Sequence, residues 1–482
     1  MRGLGAAISI LAGLLLGSAV AADEPPMAEP RMVGDMTAGP LDVLEAVTVR
    51  DDLVFLGTRG RERISLRWLE HAGDRERRLA TARYDDQART LAPTGDGIIF
   101  TGHRGRQGTE PWHSDGTRAG TRLIKEINRG RQSANCAPPG ADCPTYPAGS
   151  NPSFFLEVDG VTYFAANHPR SGKELWRTDG TRAGTRLVRD IRPGRKSGMS
   201  WSEASLAQFE GELYFVANDG RHGHELWRSD GTRKGTRLVR DIGPGWSSVW
   251  WARPVAAGEH LYFVAEREAE GAELWRTDGT RKGTRLVRDI RQGPKSSKPK
   301  DLTAVGDGLY FTAADGDHGR ELWRTDGTAQ GTVLVKDLTP GRQSSSLSDF
   351  VAVGDSLYVT ERDLSDELTT PGDLWRTVDD EPGLEPVSLP GGVATEATRY
   401  WSDLPTLASH GDRLFLTFAD SAHGNELWVI DGPTSDPALV ADIRPGPQGS
   451  DPHWLTVADS VLYFTADDGE HGRQLWAMPL GT

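Results

Sequence analysis

The chain repeats the phrase ELWRTDGTRAGTRLVRDIRPG, residues 174–194, and this repetition indicates the fold. Close copies begin at Glu225, Glu273 and Glu321, and degenerate copies lie on either side of them. The tryptophan of the phrase marks the units, at Trp68, Trp112, Trp176, Trp227, Trp275, Trp323, Trp375, Trp428 and Trp476. These markers recur about every fifty residues, a period that is typical of propeller blades.

Each well-preserved unit predicts four short strands. Between Asp289 and Asp337 they are DLTAVGD, GLYFTAAD, RELWRTD and TVLVKDL, with glycine and aspartate at the junctions. The DGT phrase at Asp179 indicates a tight turn between the third and fourth strands, because glycine adopts positive φ freely and aspartate bonds its own backbone. Since no long segment has a helical period, the sequence predicts an all-β chain folded as a closed β-propeller of four-stranded blades.

The two ends of the repeat array predict how the ring closes. The last unit ends in LWAMPLGT without a fourth strand, whereas RMVGDMTAGP from Arg31 looks like a spare copy of RLVRDIRPG. We expect the N-terminal strand to complete the last blade, since that pairing removes open sheet edges. Propellers usually have four to eight blades, so the sequence does not decide between about eight and nine repeat units. Residues 22–482 are expected to form one propeller domain.

The repeated phrase resembles that of the bacterial ELWxxDGT-repeat proteins, over most of the chain from Glu110 to Trp476. The resemblance implies an exported multi-copy repeat protein without an assigned general activity. This chain departs from the pattern at Pro111, which replaces leucine, in DLWRTVDD after Gly372, and in DGPTSDP after Ile430. The position of the aspartate turn is also similar to the Asp box of sialidase-type propellers, and that similarity implies a structural role.

The first residues indicate export. Met1-Arg2 is followed by an apolar run from Leu4 to Leu16 and by the small residues SAVAA, so residues 1–21 are predicted to be a signal peptide. A membrane span needs about 20 apolar residues, and no later segment approaches that length, so no transmembrane segment is expected. The expected localisation is periplasmic or secreted. The formal net charge of −14 argues against nucleic acid as a partner.

Both cysteines lie in an insertion at residues 132–150 that lengthens one spacing of the marker tryptophan. Cys136 and Cys143 flank the Pro/Gly-rich phrase APPGAD. In an oxidising compartment such a pair is expected to form a local disulfide that pins the loop.

The repeated residues favour a scaffold role. A large aromatic residue at one place in every third strand is what packing between neighbouring blades requires. The repeated glutamate before it and the arginine after it suggest ladders of opposite charge between blades, or solvated faces. The glutamates are Glu174, Glu225, Glu273, Glu321 and Glu426, and the arginines are Arg177, Arg228, Arg276, Arg324 and Arg376.

Aspartate-rich turns raise the question of calcium. Hard oxygen ligands are offered by Asp219, by Asp315 and Asp317, and by Asp467 and Asp468. Turn chemistry explains the same residues without a metal, so no cofactor is required. Calcium is the one cofactor that these turns could hold. A histidine precedes glycine at matching places, in His222, His318, His423 and His471, and we interpret it as a backbone hydrogen-bonding residue.

No catalytic residue is assigned. The sequence has no nucleophile elbow, no Walker loop and no HExxH motif. Loops of different blades can still assemble a dispersed catalytic set, so a propeller-type polysaccharide hydrolase or lyase stays open as an alternative.

Six tryptophans are not explained by the repeat, namely Trp201, Trp246, Trp250, Trp251, Trp401 and Trp454. All lie between the fourth strand of one unit and the second strand of the next. With Tyr400 they are predicted to gather on the face formed by the inter-blade loops, where aromatic rings suit sugars or a protein partner. Trp454, in the apolar phrase HWLTVAD, is expected to be buried instead.

These features predict an exported, non-enzymatic binding scaffold, expected to be a monomer, that holds a glycan or an envelope or extracellular protein on the inter-blade-loop face. A structural envelope protein is the third alternative.

Overall fold

The computed structural model describes residues 28–33, 41–50, 52–59, 64–70, 75–81, 90–104, 108–133, 145–200, 206–243, 249, 253–362, 373–378, 383–390, 407–433, 435–458 and 460–481. Throughout this part of the chain every regular element is a β-strand. The strands form nine four-stranded antiparallel sheets, the blades, and one two-stranded ribbon. The all-β prediction is therefore confirmed.

The blades are numbered 1 to 9 in chain order. In blades 1 to 8 the four strands follow one another in the chain, whereas blade 9 takes its fourth strand from the N-terminal part of the chain. The first strands are Leu41–Val49, Leu91–Thr94, Ser153–Val158, Leu206–Phe209, Val255–Ala257, Lys300–Val305, Ser346–Val353, Leu407–His410 and His453–Ala458. The second strands are Asp52–Arg59, Gly97–Arg104, Val161–His168, Glu212–Asn218, His260–Arg267, Gly308–Ala314, Ser356–Arg362, Arg413–Asp420 and Val461–Asp467. The third strands are Ser65–Glu70, Gly108–Ser114, Gly172–Thr178, His224–Ser229, Gly271–Thr277, Arg320–Thr325, Asp373–Thr377, Gly424–Asp431 and Arg473–Pro479. The fourth strands are Arg75–Thr81, Arg122–Leu123, Arg186–Leu187, Arg237–Leu238, Arg285–Leu286, Val333–Lys336, Leu384–Pro386, Ala438–Ala441 and, for blade 9, Arg31–Val33.

The first strands line the centre of a closed ring. Each contacts the first strand of the next blade, and the first strand of blade 1 contacts that of blade 9. Nine blades therefore form one propeller, which settles the number that the sequence left between eight and nine.

The N-terminal strand completes blade 9, as predicted. Arg31–Val33 pairs antiparallel with the third strand of that blade, with Met32 opposite Trp476. Val33 is buried and packs with Phe55 of blade 1 and Tyr463 of blade 9. This pairing removes the edges that an open array would expose.

Alternation along the second strand builds the core between blades. In blade 5, Leu261 and Phe263 pack towards blade 4, whereas Tyr262 packs towards blade 6. The marker tryptophans fill the same spaces: Trp275 packs with residues of blade 4, and Trp323 with residues of blade 5. Both faces of each sheet are therefore buried, and the apolar surface of a blade is covered only by its neighbours.

The DGT turn joins the third and fourth strands, as predicted, and it is stabilised by its own side chains. In blade 5, Asp278 Oδ1 accepts hydrogen bonds from the backbone N–H of Thr280 at 2.8 Å and from its hydroxyl at 2.7 Å. These bonds, led by that of the hydroxyl, lower the pKa of Asp278. Thr280 Oγ1 in turn accepts the N–H of Gly283 at 2.9 Å. The aspartate thus holds the turn through its Oδ1 atom.

Candidate binding site

The inter-blade loops and the turns between second and third strands lie at the same end of the blades. The N–H of Lys298, in the loop from blade 5 to blade 6, donates to the carbonyl of Ala272 at the start of a third strand, at 3.1 Å. Val249 and His224 make the equivalent bond one blade earlier, at 3.0 Å. We call this end of the ring the loop face. The DGT turns lie at the opposite face.

The repeated glutamates tie these loops to the third strands. Six of them are completely buried, namely Glu110, Glu174, Glu225, Glu273, Glu321 and Glu426. The carboxylate of Glu273 accepts the backbone N–H of Ile290 at 3.2 Å, and both the N–H and the hydroxyl of Ser297, at 2.8 and 2.5 Å.

The predictions of charge ladders and of solvated faces were therefore both wrong for the glutamates. Their partners are backbone N–H groups of an inter-blade loop, joined in several blades by a serine hydroxyl, and the repeated loop geometry brings these donors to a buried carboxyl group. The arginines do not complete such ladders either. Arg177 donates to the carbonyl of Gly231 in the next blade at 3.2 Å, while Arg228 pairs with Glu212 of its own blade at 3.0 Å.

Burial favours the uncharged form of these glutamates. It raises the pKa of Glu174 to about 8, and the pKa values of Glu110 and Glu273 to about 7, against the opposing effect of their hydrogen bonds. A group without solvent exposure cannot contact a ligand, so these carboxyl groups belong to the scaffold and not to the site.

Aspartate–histidine pairs shape the turns of the loop face. Asp315 Oδ1 accepts the backbone N–H groups of Asp317 and His318, at 3.0 and 2.8 Å, and its Oδ2 lies 2.8 Å from His318 Nδ1. This contact raises the pKa of His318. The same pairing occurs at Asp219–His222, Asp420–His423 and Asp468–His471. The imidazole thus bonds a carboxylate, where the sequence predicted a backbone partner.

Hydrogen bonds within the turns also engage oxygens of Asp467 and Asp468, two of the aspartates considered for calcium. Asp468 pairs with His471, and Asp467 accepts the N–H of Gly469 at 2.8 Å. Within the described ranges, no group of three or more histidine, cysteine, aspartate or glutamate side chains is arranged to hold a metal ion. Asp315, Asp467 and Asp468 hold their turns through these hydrogen bonds, and calcium binding stays a prediction.

A cavity of about 880 Å³ opens on the loop face between blades 5 and 6. Its walls come from the first strands of both blades, from the loop 296–299 between them, and from the facing ends of the second and third strands of blade 5. Val255, Pro299 and Leu302 supply apolar surface, and Arg253, Lys298 and Lys300 supply positive charge. Its size and mixed lining are those of sites that bind small molecules or short polymers.

The predicted aromatic ligand-binding residues, Trp201, Trp246, Trp250, Trp251, Tyr400 and Trp401, all lie outside the described residues. In the chain, Trp250 and Trp251 follow Val249, which bonds to the loop face, and precede Arg253, which lines the cavity. Trp454 is described, and it is buried in the core shared by blades 9 and 1.

The predicted insertion begins as a ribbon between blades 2 and 3. Arg131–Ser133 pairs antiparallel with Thr145–Pro147, and Ser133 lies opposite Thr145. Cys136 and Cys143 lie outside the described residues, between these two strands in the chain. Their disulfide stays a prediction, as does the signal peptide at residues 1–21.

Neither a protein-family model nor a curated protein matches the sequence. Among solved structures, a puromycin-hydrolyzing peptidase of Mycobacterium tuberculosis matches at 12% identity and a TM-score of 0.38, covering 92% of this chain and 61% of its own. The polysaccharide lyase Uly1 matches at 9% identity and a TM-score of 0.34, covering 67% of this chain and 88% of its own. This chain therefore spans less than two thirds of the peptidase. Likenesses at this level carry no argument about activity.

The sequence contained a signal for the cavity that residue-type reasoning missed. The loop that follows blade 3 reads RPGRKSGMS, and the loop that follows blade 4 reads GPGWSSVW. The loop that follows blade 5 reads RQGPKSSKPK instead, and it contains Lys295, Lys298 and Lys300. The signal is therefore a cluster of lysines in one loop of the repeat, and not the aromatic residues of the neighbouring loops.

No helix in the described part of the chain is long and apolar enough to cross a membrane.

Proposed function

We propose that this chain is an exported, non-enzymatic binding scaffold of the ELWxxDGT-repeat kind, which holds a glycan or protein ligand on its loop face. The observation that carries the proposal is the cavity of about 880 Å³ between blades 5 and 6. It opens on the face that the sequence predicted for binding, and in the chain only Ala252 separates Trp250 and Trp251 from its lining residue Arg253.

The chemistry of the repeat supports a scaffold. The glutamates are buried against backbone donors, the aspartates close turns, and the tryptophans fill the spaces between blades. An enzyme needs ionisable groups that converge on one reacting centre. The acidic groups of the cavity are Glu266 and Asp301, and Asp301 already accepts the hydroxyl of Thr312 at 2.8 Å. Binding without turnover is the function that this lining supports best.

The test is a binding screen of the mature chain, residues 22–482, against a panel of purified glycans and against envelope proteins captured from cells. The same screen is run with a Trp250→Ala/Trp251→Ala double variant. Its control is Arg281→Ala/Lys282→Ala in a DGT turn of the opposite face, where both side chains are exposed.

We expect a ligand that the tryptophan variant loses and the control keeps, with the thermal unfolding midpoint unchanged in both. A ligand that is bound equally well by the tryptophan variant would place the site elsewhere. Cleavage of a bound polysaccharide into shorter products would contradict a non-enzymatic function and would favour the hydrolase or lyase alternative.

A further inference from the structure

The cavity carries a local excess of positive charge on a chain that is acidic as a whole. Its charged lining residues are Arg253, Lys298 and Lys300 against Glu266 and Asp301. The formal net charge of the chain is −14. A cavity that reverses the sign of the protein's overall charge attracts a ligand of the opposite sign, because charge close to the ligand dominates over distant, screened charge.

One of the two acidic groups is compensated within the scaffold. Asp301 accepts the hydroxyl of Thr312, and the partly buried guanidinium of Arg320 interacts favourably with it. Arg320 Nη1 also donates to the carbonyl of Lys298 at 2.9 Å. Among the described residues, neither Lys298 nor Lys300 has an ion-pair partner, so both ammonium groups are available to a ligand.

Lys298 is held in place by the backbone rather than by its side chain. Its φ of 49° is in the left-handed region, and its N–H and carbonyl both have protein partners. Asn151 and Asp451 occupy the same place in the Ser-x-Pro phrase of two other loops, with φ values of 45° and 54°. The repeat therefore requires this backbone but not a cation, and the lysine is particular to this cavity.

The uncharged lining completes the description of the ligand. Val255, Pro299 and Leu302 offer apolar surface for the C–H face of a sugar ring. Ser296 Oγ accepts the N–H of Ala272 at 2.9 Å, which leaves its own hydroxyl hydrogen to donate. Positive charge beside apolar surface and a hydroxyl donor matches a sugar that carries an anionic group.

The geometry points to an acidic saccharide, one bearing carboxylate or sulfate groups, as the ligand of the cavity between blades 5 and 6. This inference rests on the proposed function and names the class of ligand for that face. The carboxylate or sulfate group pairs with Lys298 and Lys300, and the sugar ring lies against Val255 and Leu302.

The experiment titrates the mature protein by calorimetry with three hexasaccharides: hexagalacturonate, a sulfated galactan hexamer, and neutral cellohexaose. The variant is Lys298→Gln/Lys300→Gln, which keeps side-chain length and removes two charges. The control is Lys234→Gln/Lys282→Gln, which removes two charges from exposed positions in DGT turns of the opposite face.

We expect at least one acidic hexamer to bind more tightly than cellohexaose. The cavity variant should weaken that binding by about tenfold or more, as expected for losing charge-assisted contacts, whereas the control should change it less than about twofold. The affinity should fall with added salt.

The failures are distinguishable. Preferential binding of cellohexaose, or acidic binding that the cavity variant leaves unchanged, would overturn the acidic-saccharide inference while a loop-face binding function still stands. The acidic-saccharide inference is also overturned, and a loop-face binding function still stands, if none of the hexamers binds but the binding screen yields a protein ligand. That ligand must be lost by the Trp250→Ala/Trp251→Ala variant. If neither experiment yields a ligand, the proposed function fails with it.

Discussion

Replacing Glu321 by alanine is expected to destabilise the ring by about 3–5 kcal/mol, because several buried donors lose their acceptor and a void is left. Its carboxylate is completely buried. It accepts the N–H of Leu338 at 3.2 Å, and the N–H of Ser345 at 3.1 Å together with its hydroxyl. The change in the free energy of unfolding is measured by urea denaturation at neutral pH.

Two further variants identify the cause. Glu321→Gln keeps the volume but points an amide N–H₂ at donors, so we expect an intermediate loss of stability. Glu385→Ala removes a glutamate that is 59% exposed and pairs with Arg376 at 3.6 Å, and it should cost less than about 0.5 kcal/mol. If Glu321→Ala is no more destabilising than Glu385→Ala, the buried carboxylates do not hold the inter-blade loops.

Replacing Gly327 by alanine is the second substitution for which a large loss of stability is expected, about 2–4 kcal/mol from backbone strain and overpacking together. Gly327 has a φ of +87° in the DGT turn of blade 6. An added Cβ would lie 2.5 Å from Tyr262 Oη and 2.9 Å from Arg276 Nη1, both on blade 5. Both side chains are buried and cannot move aside freely.

The chain offers a matched control for the cost of backbone strain alone. Gly293 has a φ of +86°, and an added Cβ there would meet nothing within 4 Å. Gly293→Ala should therefore cost about 1 kcal/mol, the strain alone. Equal losses in the two variants, measured as shifts of the thermal unfolding midpoint, would show that contact between the DGT turn and the preceding blade contributes nothing.

The fold was predictable because the same strand and turn pattern recurs in many repeats. A phrase that recurs about every fifty residues, with period-two alternation and DGT turns, specifies a blade, and RMVGD at the N-terminus specifies the missing strand. The blade number was less certain from the sequence because the units around Trp68 and Trp112 are degenerate. The ring itself decides it, since the first strands of blades 1 and 9 are in contact.

The site was less predictable because charge alone does not indicate burial. Glutamate is rarely buried, so its repetition suggested ion pairs, yet each described copy of the repeated glutamates is enclosed by backbone donors that only the folded loop brings together. The cavity lies between two first strands, Val255–Ala257 and Lys300–Val305, which are far apart in the chain and which only the fold brings together. The sequence shows Lys298 and Lys300 as an irregularity of the repeat, but it does not show that the two lysines line the same cavity.

The repeats close into one nine-bladed ring through the N-terminal strand. Hydrogen–deuterium exchange of the segment Arg473–Pro479 tests it most directly, in the chain 22–482 and in a truncated chain 34–482. We expect slow exchange in the longer chain and clearly faster exchange in the truncated one, because Arg31–Val33 pairs with Leu475, Trp476 and Ala477. The third strand of blade 5, Gly271–Thr277, serves as the internal reference and should exchange slowly in both. Equal exchange of Arg473–Pro479 in the two chains would contradict closure by this strand.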